Sequence, residues 1–233
     1  MENRIQCLVV PHLIGRLRKE GITGLEDYEQ RLGASTPAME NLKDLLFEAH
    51  MALMFSHYGF KVTMRDKPDL EIELDNETAY AEVKHFREKE QDRVDEKAMR
   101  DSEDLVPVGI LLGQPCPWQQ IAKVAIAKAE QYVEDAPNLL VIASDSNAVN
   151  GCVFSTGVHL YNQEVARSGA NSPLRRLNAF LLVNMVCDEW TGSDFRNVYF
   201  CPTAYAAVPM NTSLVDALTS IRRWSMPRDV TNV

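Results

Sequence analysis

Apolar residues recur along the chain at two spacings, and the change from one to the other divides it. Leu13, Ile14 and Leu17 fall at helical spacing, Thr23 with Glu26 fits a capping box, and Gly33 supplies a stop, so residues 1–34 are predicted helical. A long helix is predicted next. Thr36 can cap it, Pro37 suits its first turn, Leu42, Leu45, Leu46, Ala49 and Leu53 form its apolar stripe, and Gly59 ends it. Met51, Met54 and Phe55 carry apolar character around the rest of this helix, which predicts burial on more than one side.

From residue 60 the period is two. Strands are predicted over 60–66, 70–75 and 78–86. Leu70, Ile72 and Leu74 share one face with Ala79, Ala81 and Val83. Asp75-Asn76 suits a two-residue turn because both side chains tolerate positive φ. The resulting register sets Asp69 opposite Glu82 and gathers Asp69, Glu71, Glu73, Tyr80, Glu82 and Lys84 on the second face. An apolar connection over 106–117 leads to a helix opened by Pro117 and predicted over 118–135; Pro137 closes it, and 138–144 reads as a buried strand. Strands over 177–186 and 197–201 and a helix over 213–224 complete the pattern, while Ser155-Thr156-Gly157 reads as a turn. This order predicts an α/β fold with a mixed central sheet flanked by helices.

Composition sharpens the picture in a few places. With 233 residues, 45% apolar and 24% charged, the chain suits one generous domain with a helical extension, assigned to residues 1–36 ahead of 37–233. The net charge of −9 argues against broad polyanion binding. The sign is uneven: residues 165–233 hold seven Arg and no Lys against five carboxylates, a net +2, which leaves −11 before them. Arg175-Arg176 and Arg222-Arg223, near Trp224, could grip phosphates or a partner's acidic surface, although exposed arginines usually serve solubility. The charged stretch 84–104 alternates in sign, as a solvated helix or loop does. Five scattered cysteines without a CxxC pair fit a reducing, cytoplasmic setting, and no run suggests a membrane span or a signal peptide.

The polar face of the hairpin is the candidate for chemistry. Two carboxylates on adjacent strands can hold a hard divalent cation through oxygen, and a lysine two residues on can orient water or steady a charged phosphorus centre. The competing reading is a solvated face of cross-strand ion pairs. Glu48 stands in an apolar stretch, where a carboxylate needs a partner; Lys43, His50 and a metal are the candidates. His50 and His57 are seven apart, the wrong spacing for a helical metal pair, and His85 points away from Lys84.

Pro68-Asp69, twelve intervening residues and Glu82-Val83-Lys84 resemble the signature of the PD-(D/E)xK, restriction-endonuclease-like nuclease superfamily. The resemblance covers roughly residues 37–144 and implies an αβββαβ core. It implies Asp69 and Glu82 as metal ligands, a metal contact from the Val83 carbonyl, and Lys84 as the catalytic lysine. Glu48 would be the assisting acidic residue of the preceding helix, with Gln120 and Lys123 as phosphate contacts at the start of the next. The 30-odd residues between Phe86 and Trp118 exceed the link of a compact core. The expectation is therefore a Mg²⁺- or Mn²⁺-dependent nuclease acting on nucleic acid, DNA ahead of RNA, with a homodimer or protein partner left open. The alternative is an inactive interaction module on the same fold.

Overall fold

The computed structural model describes residues 10–34, 39–86, 117–144, 151–188 and 193–224. Thr36 and Pro37, the charged stretch beyond Phe86 and the apolar connection before Pro117 lie outside the described residues. The elements are α1 (Val10–Lys19), α2 (Leu25–Ala34), α3 (Met39–His57), β1 (Lys61–Met64), β2 (Leu70–Leu74), β3 (Glu77–Phe86), α4 (Pro117–Ala127) and β4 (Asn138–Ser144). They continue with α5 (Gly151–Arg167), β5 (Leu177–Asp188), β6 (Ser193–Pro202), α6 (Thr212–Ser220) and β7 (Arg223–Trp224).

The seven strands form one mixed sheet in sequence order, β1 to β7. β3, β4 and β5 run parallel, and all other neighbours pair antiparallel. Each parallel step needs a crossover, and α4 and α5 supply them. Helices cover both faces. On one, Leu13, Leu17, Ala49, Leu53, Leu214 and Leu218 pack against Ile72, Ala81, Val141 and Leu181. On the other, Ile121, Ala125, Val158 and Tyr161 pack against Leu140, Ile142, Phe180 and Leu182. β4, buried on both faces, is accordingly the apolar run Asn138–Ser144.

The hairpin turn forms as the residue types predict. Asp75 and Asn76 have φ of 51° and 64°, and the register pairs Leu70 with Ala81 and Ile72 with Ala79. Ser213 Oγ fixes the turn from outside with a 2.5 Å bond to Asp75.

Other expectations are corrected. Thr23 does not cap α2. Its hydroxyl meets that of Thr63 at 2.8 Å, and its backbone bonds Val62 and Met64, so the α1–α2 link lies along the free edge of β1. Gly24 opens α2 at φ +72°, where a Cβ would strike the Met64 carbonyl. The helix predicted to Asp135 stops at Ala127, followed by a short 3₁₀ turn over Ala129–Gln131. Residues 155–157 are no turn: they lie within α5. The last helix ends at Ser220, and Arg223–Trp224 leaves it to pair with β6.

α5 crosses α4 at Gly157. A Cβ there would fall 2.7 Å from Ile121 Cβ and 2.9 Å from the Trp118 carbonyl, so only hydrogen fits. Asn138 anchors the entry to β4. Its side chain accepts from Val133 and donates to the carbonyls of Val133, Ala136 and Arg176, which satisfies a fully buried amide.

Candidate active site

Strand lengths create the site. β2 has five residues and β3 ten, and the pairing of Leu70 with Ala81 leaves β3 running past the start of β2. Asp69 stands at that notch, just before β2, on the line of the register opposite Glu82. Its Oδ2 accepts the Val83 N–H at 2.7 Å. In an extended strand the N–H and C=O of one residue point to the same side, so the Val83 carbonyl also faces the notch.

Three buried carboxylates lie within electrostatic reach of one another. Glu48, Asp69 and Glu82 are 8%, 8% and 3% exposed. Burial lifts the Asp69 carboxyl to about 8, with the charges of Glu48 and Glu82 adding to the effect and the Val83 bond opposing it. Burial likewise lifts Glu48 to about 7, against the pull of Arg31 and with a further push from Glu82 and Asp44. Each of these two carboxyls therefore feels the other acidic groups through protein rather than through water.

Two cations offset this charge. Arg31 Nη2 of α2 lies 2.8 Å from Glu48 Oε2 and directs an N–H to the Arg65 carbonyl, so the contact with Glu48 is an ion pair without an aligned hydrogen bond. Arg31 takes the place that Lys43 and His50 were weighed for as alternatives to a metal. Lys128 Nζ donates to Glu82 Oε1 and, at 2.9 Å, to Gln131 Oε1. Among the described residues, Glu82 Oε2 is buried with no hydrogen-bond partner.

Lys84 lies on the same face as Glu82 but lines a neighbouring groove of about 440 Å³ with Gln120, Lys123 and Val124. The residues predicted for the site thus fall into two groups. Glu48, Asp69, Glu82 and Val83 form a buried acidic cluster, and Lys84, Gln120 and Lys123 form a partly open, cationic groove beside it. Glu71 and Glu73 belong to neither. They make cross-strand ion pairs with Arg65 and Lys61, the ordinary use of charge on a sheet face. His85 faces the opposite side, stacked on Phe47 at 3.9 Å and 3.5 Å from Asp44.

Lys128 and Arg31 were not legible as partners. Lys128 lies five residues from Lys123 and would point elsewhere on a continuous helix. Lys128, just past α4 at φ −90°, ψ −3°, keeps the helical bond from its N–H to the Val124 carbonyl and points away from Lys123, which carries it to Glu82 rather than to the groove. Arg31 meets Glu48 only through the packing of α2 beside α3, which no local spacing announces.

The donor chemistry suits a hard divalent cation: carboxylate oxygens, one of them unpartnered, with a backbone carbonyl facing the same notch. Among the described residues, however, no three His, Cys, Asp or Glu side chains stand close enough together to hold a metal ion. Arg31 and Lys128 offset the charge of two of the three carboxylates, Glu48 and Glu82. Among the described residues no helix is long and apolar enough to cross a membrane. Compared with protein-family models, with curated proteins and with solved structures, the chain matches none.

Proposed function

We propose that the chain is a metal-dependent nuclease of the PD-(D/E)xK kind, cleaving phosphodiester bonds in nucleic acid, with DNA as the first substrate to test. The order α3-β1-β2-β3-α4-β4 is the one expected of that superfamily's core, and it supports the reading. The observation that carries it is the notch, where Asp69 and Glu82 stand on one face of the sheet with Glu48 in electrostatic reach of both. Mg²⁺ or Mn²⁺, when bound, would lower the pKa of a coordinated water and offset charge on the phosphate. Asp69, Glu82 and the Val83 carbonyl would hold it, and Glu48 would assist. Lys84, with Lys123 and Gln120, would seat the phosphate in the cationic groove. Burial of the carboxylates excludes bulk water and strengthens each of these contacts.

The test is cleavage of plasmid and linear DNA in Mg²⁺ or Mn²⁺. Asp69→Asn and Glu82→Gln should each lower the rate at least about a hundredfold, and Lys84→Ala should do the same. Cleavage that survives all three substitutions would reject the assignment.

One observation favours a second reading. Lys128 and Arg31 already pair with Glu82 and Glu48, which is what a binding module without catalysis would do with an inherited polar face. Under that reading Mn²⁺ does not bind at all, and the groove alone contacts a partner.

A further inference from the structure

We propose that Lys128 is a resident counter-ion of the acidic cluster, which a divalent cation must displace from Glu82 in order to bind. The inference rests on the nuclease reading in one respect: it requires a divalent cation to enter at Asp69 and Glu82.

Glu82 is 3% exposed, and a carboxylate so buried needs a compensating charge. Lys128 supplies it at Oε1. An ammonium and a metal ion cannot share that oxygen closely, since both are positive and each needs the same lone pairs. Glu82 Oε2, buried and without a hydrogen-bond partner among the described residues, gives an arriving cation its first contact. There it would stand beside the ammonium on the same carboxylate, so repulsion sets its binding against the Lys128 contact.

Lys128 is also placed to leave. Its side chain is 27% exposed, whereas that of Glu82 is 3% exposed, so the ammonium can swing outward while the carboxylate stays in place. Its backbone is pinned by the bond from its N–H to the Val124 carbonyl, and Gln131 Oε1 steadies the ammonium. Val124 lines the groove of Lys84 and Lys123, so the retreating ammonium would remain beside the surface where a phosphate would lie. Glu82 therefore has a counter-charge without metal, and the cluster's metal affinity is set by a competition inside the protein.

The experiment is calorimetric titration of Mn²⁺ alone into the full chain. Lys128→Gln should bind Mn²⁺ at least about tenfold more tightly than the wild type, the loss of one charge-assisted hydrogen bond from the competing state. Gln131→Ala should shift affinity in the same direction by less, and Lys128→Arg should resemble the wild type. Adding Glu82→Gln to Lys128→Gln should abolish the gain. If the wild type binds Mn²⁺ and Lys128→Gln binds no more tightly, the counter-ion role is overturned while the metal site stands. If neither binds, the metal reading itself falls and takes the inference with it. Should Lys128→Gln fail to fold, Gln131→Ala decides, and an unchanged affinity there overturns the proposal.

Discussion

Asp69 accepts an N–H from Val83 and still holds its proton up to about pH 8, because burial and the charges of Glu48 and Glu82 outweigh that one bond. An unfolded aspartate ionises near pH ~4. The folded protein thus binds an extra proton between those values. The stability this gives is complete below the unfolded pKa and is lost as pH rises through about 8. Glu48, lifted to about 7, acts in the same direction. Asp69→Asn keeps an oxygen for Val83 and has no charge to desolvate. Relative to the wild type it should gain at least ~1 kcal/mol between about pH 5 and pH 8, read from urea midpoints at each. An equal offset at both values would show that Asp69 does not titrate in that window. At this scale Asp69, Glu82 and Glu48 were legible: two sit at fixed register positions and the third is a charge in an apolar run. Arg31 and Lys128 were not, since each reaches its carboxylate from a separate element.

The secondary-structure elements divide in the same way. The hairpin was legible to the residue because Asp75-Asn76 admits few turns and its register then follows. Asn76, at φ 64°, should accept glycine with no loss or with a gain of up to ~1 kcal/mol, whereas Asn76→Val should destabilise; thermal melts of the two variants check the sign. α5 was hidden behind Ser155-Thr156-Gly157, a string of turn formers. The signal lay in Phe154, Val158, Tyr161 and Val165, which form a buried helical stripe around them. Gly157 belongs to that stripe because α4 comes too close for a side chain. Gly157→Ala should therefore cost about 1–3 kcal/mol, visible as a lower urea midpoint with an unchanged slope. A normal midpoint would mean that α4 and α5 can move apart freely.

For the molecule as a whole, a net charge of −9 leaves little general attraction for a polyanion, so any grip on nucleic acid has to be local. Under the proposed function that grip would lie in the groove of Lys84 and Lys123. Replacing both with alanine should weaken DNA binding by a similar factor on every sequence and reduce the slope of log affinity against log salt by ~2. A slope left unchanged would place the phosphate contacts elsewhere, with the arginines of the C-terminal third as the next candidates. The layered arrangement was legible from element order, but which carboxylate met which cation depended on how α2 packs beside α3 and on where the end of α4 meets β3, and no local spacing encodes either.

The sheet's outer margins carry a last consequence. Thr23 occupies part of the outward rim of β1, and at the far side β7 offers just two residues beyond β6. Thr23 thus denies a stray strand from another copy part of the β1 margin, whereas on the far side β7 pairs with only Arg196 and Asn197 of β6. The short link between the first two helices is thus a guard against fibre growth, and a chain trimmed past it would be expected to polymerise where the intact one stays dispersed.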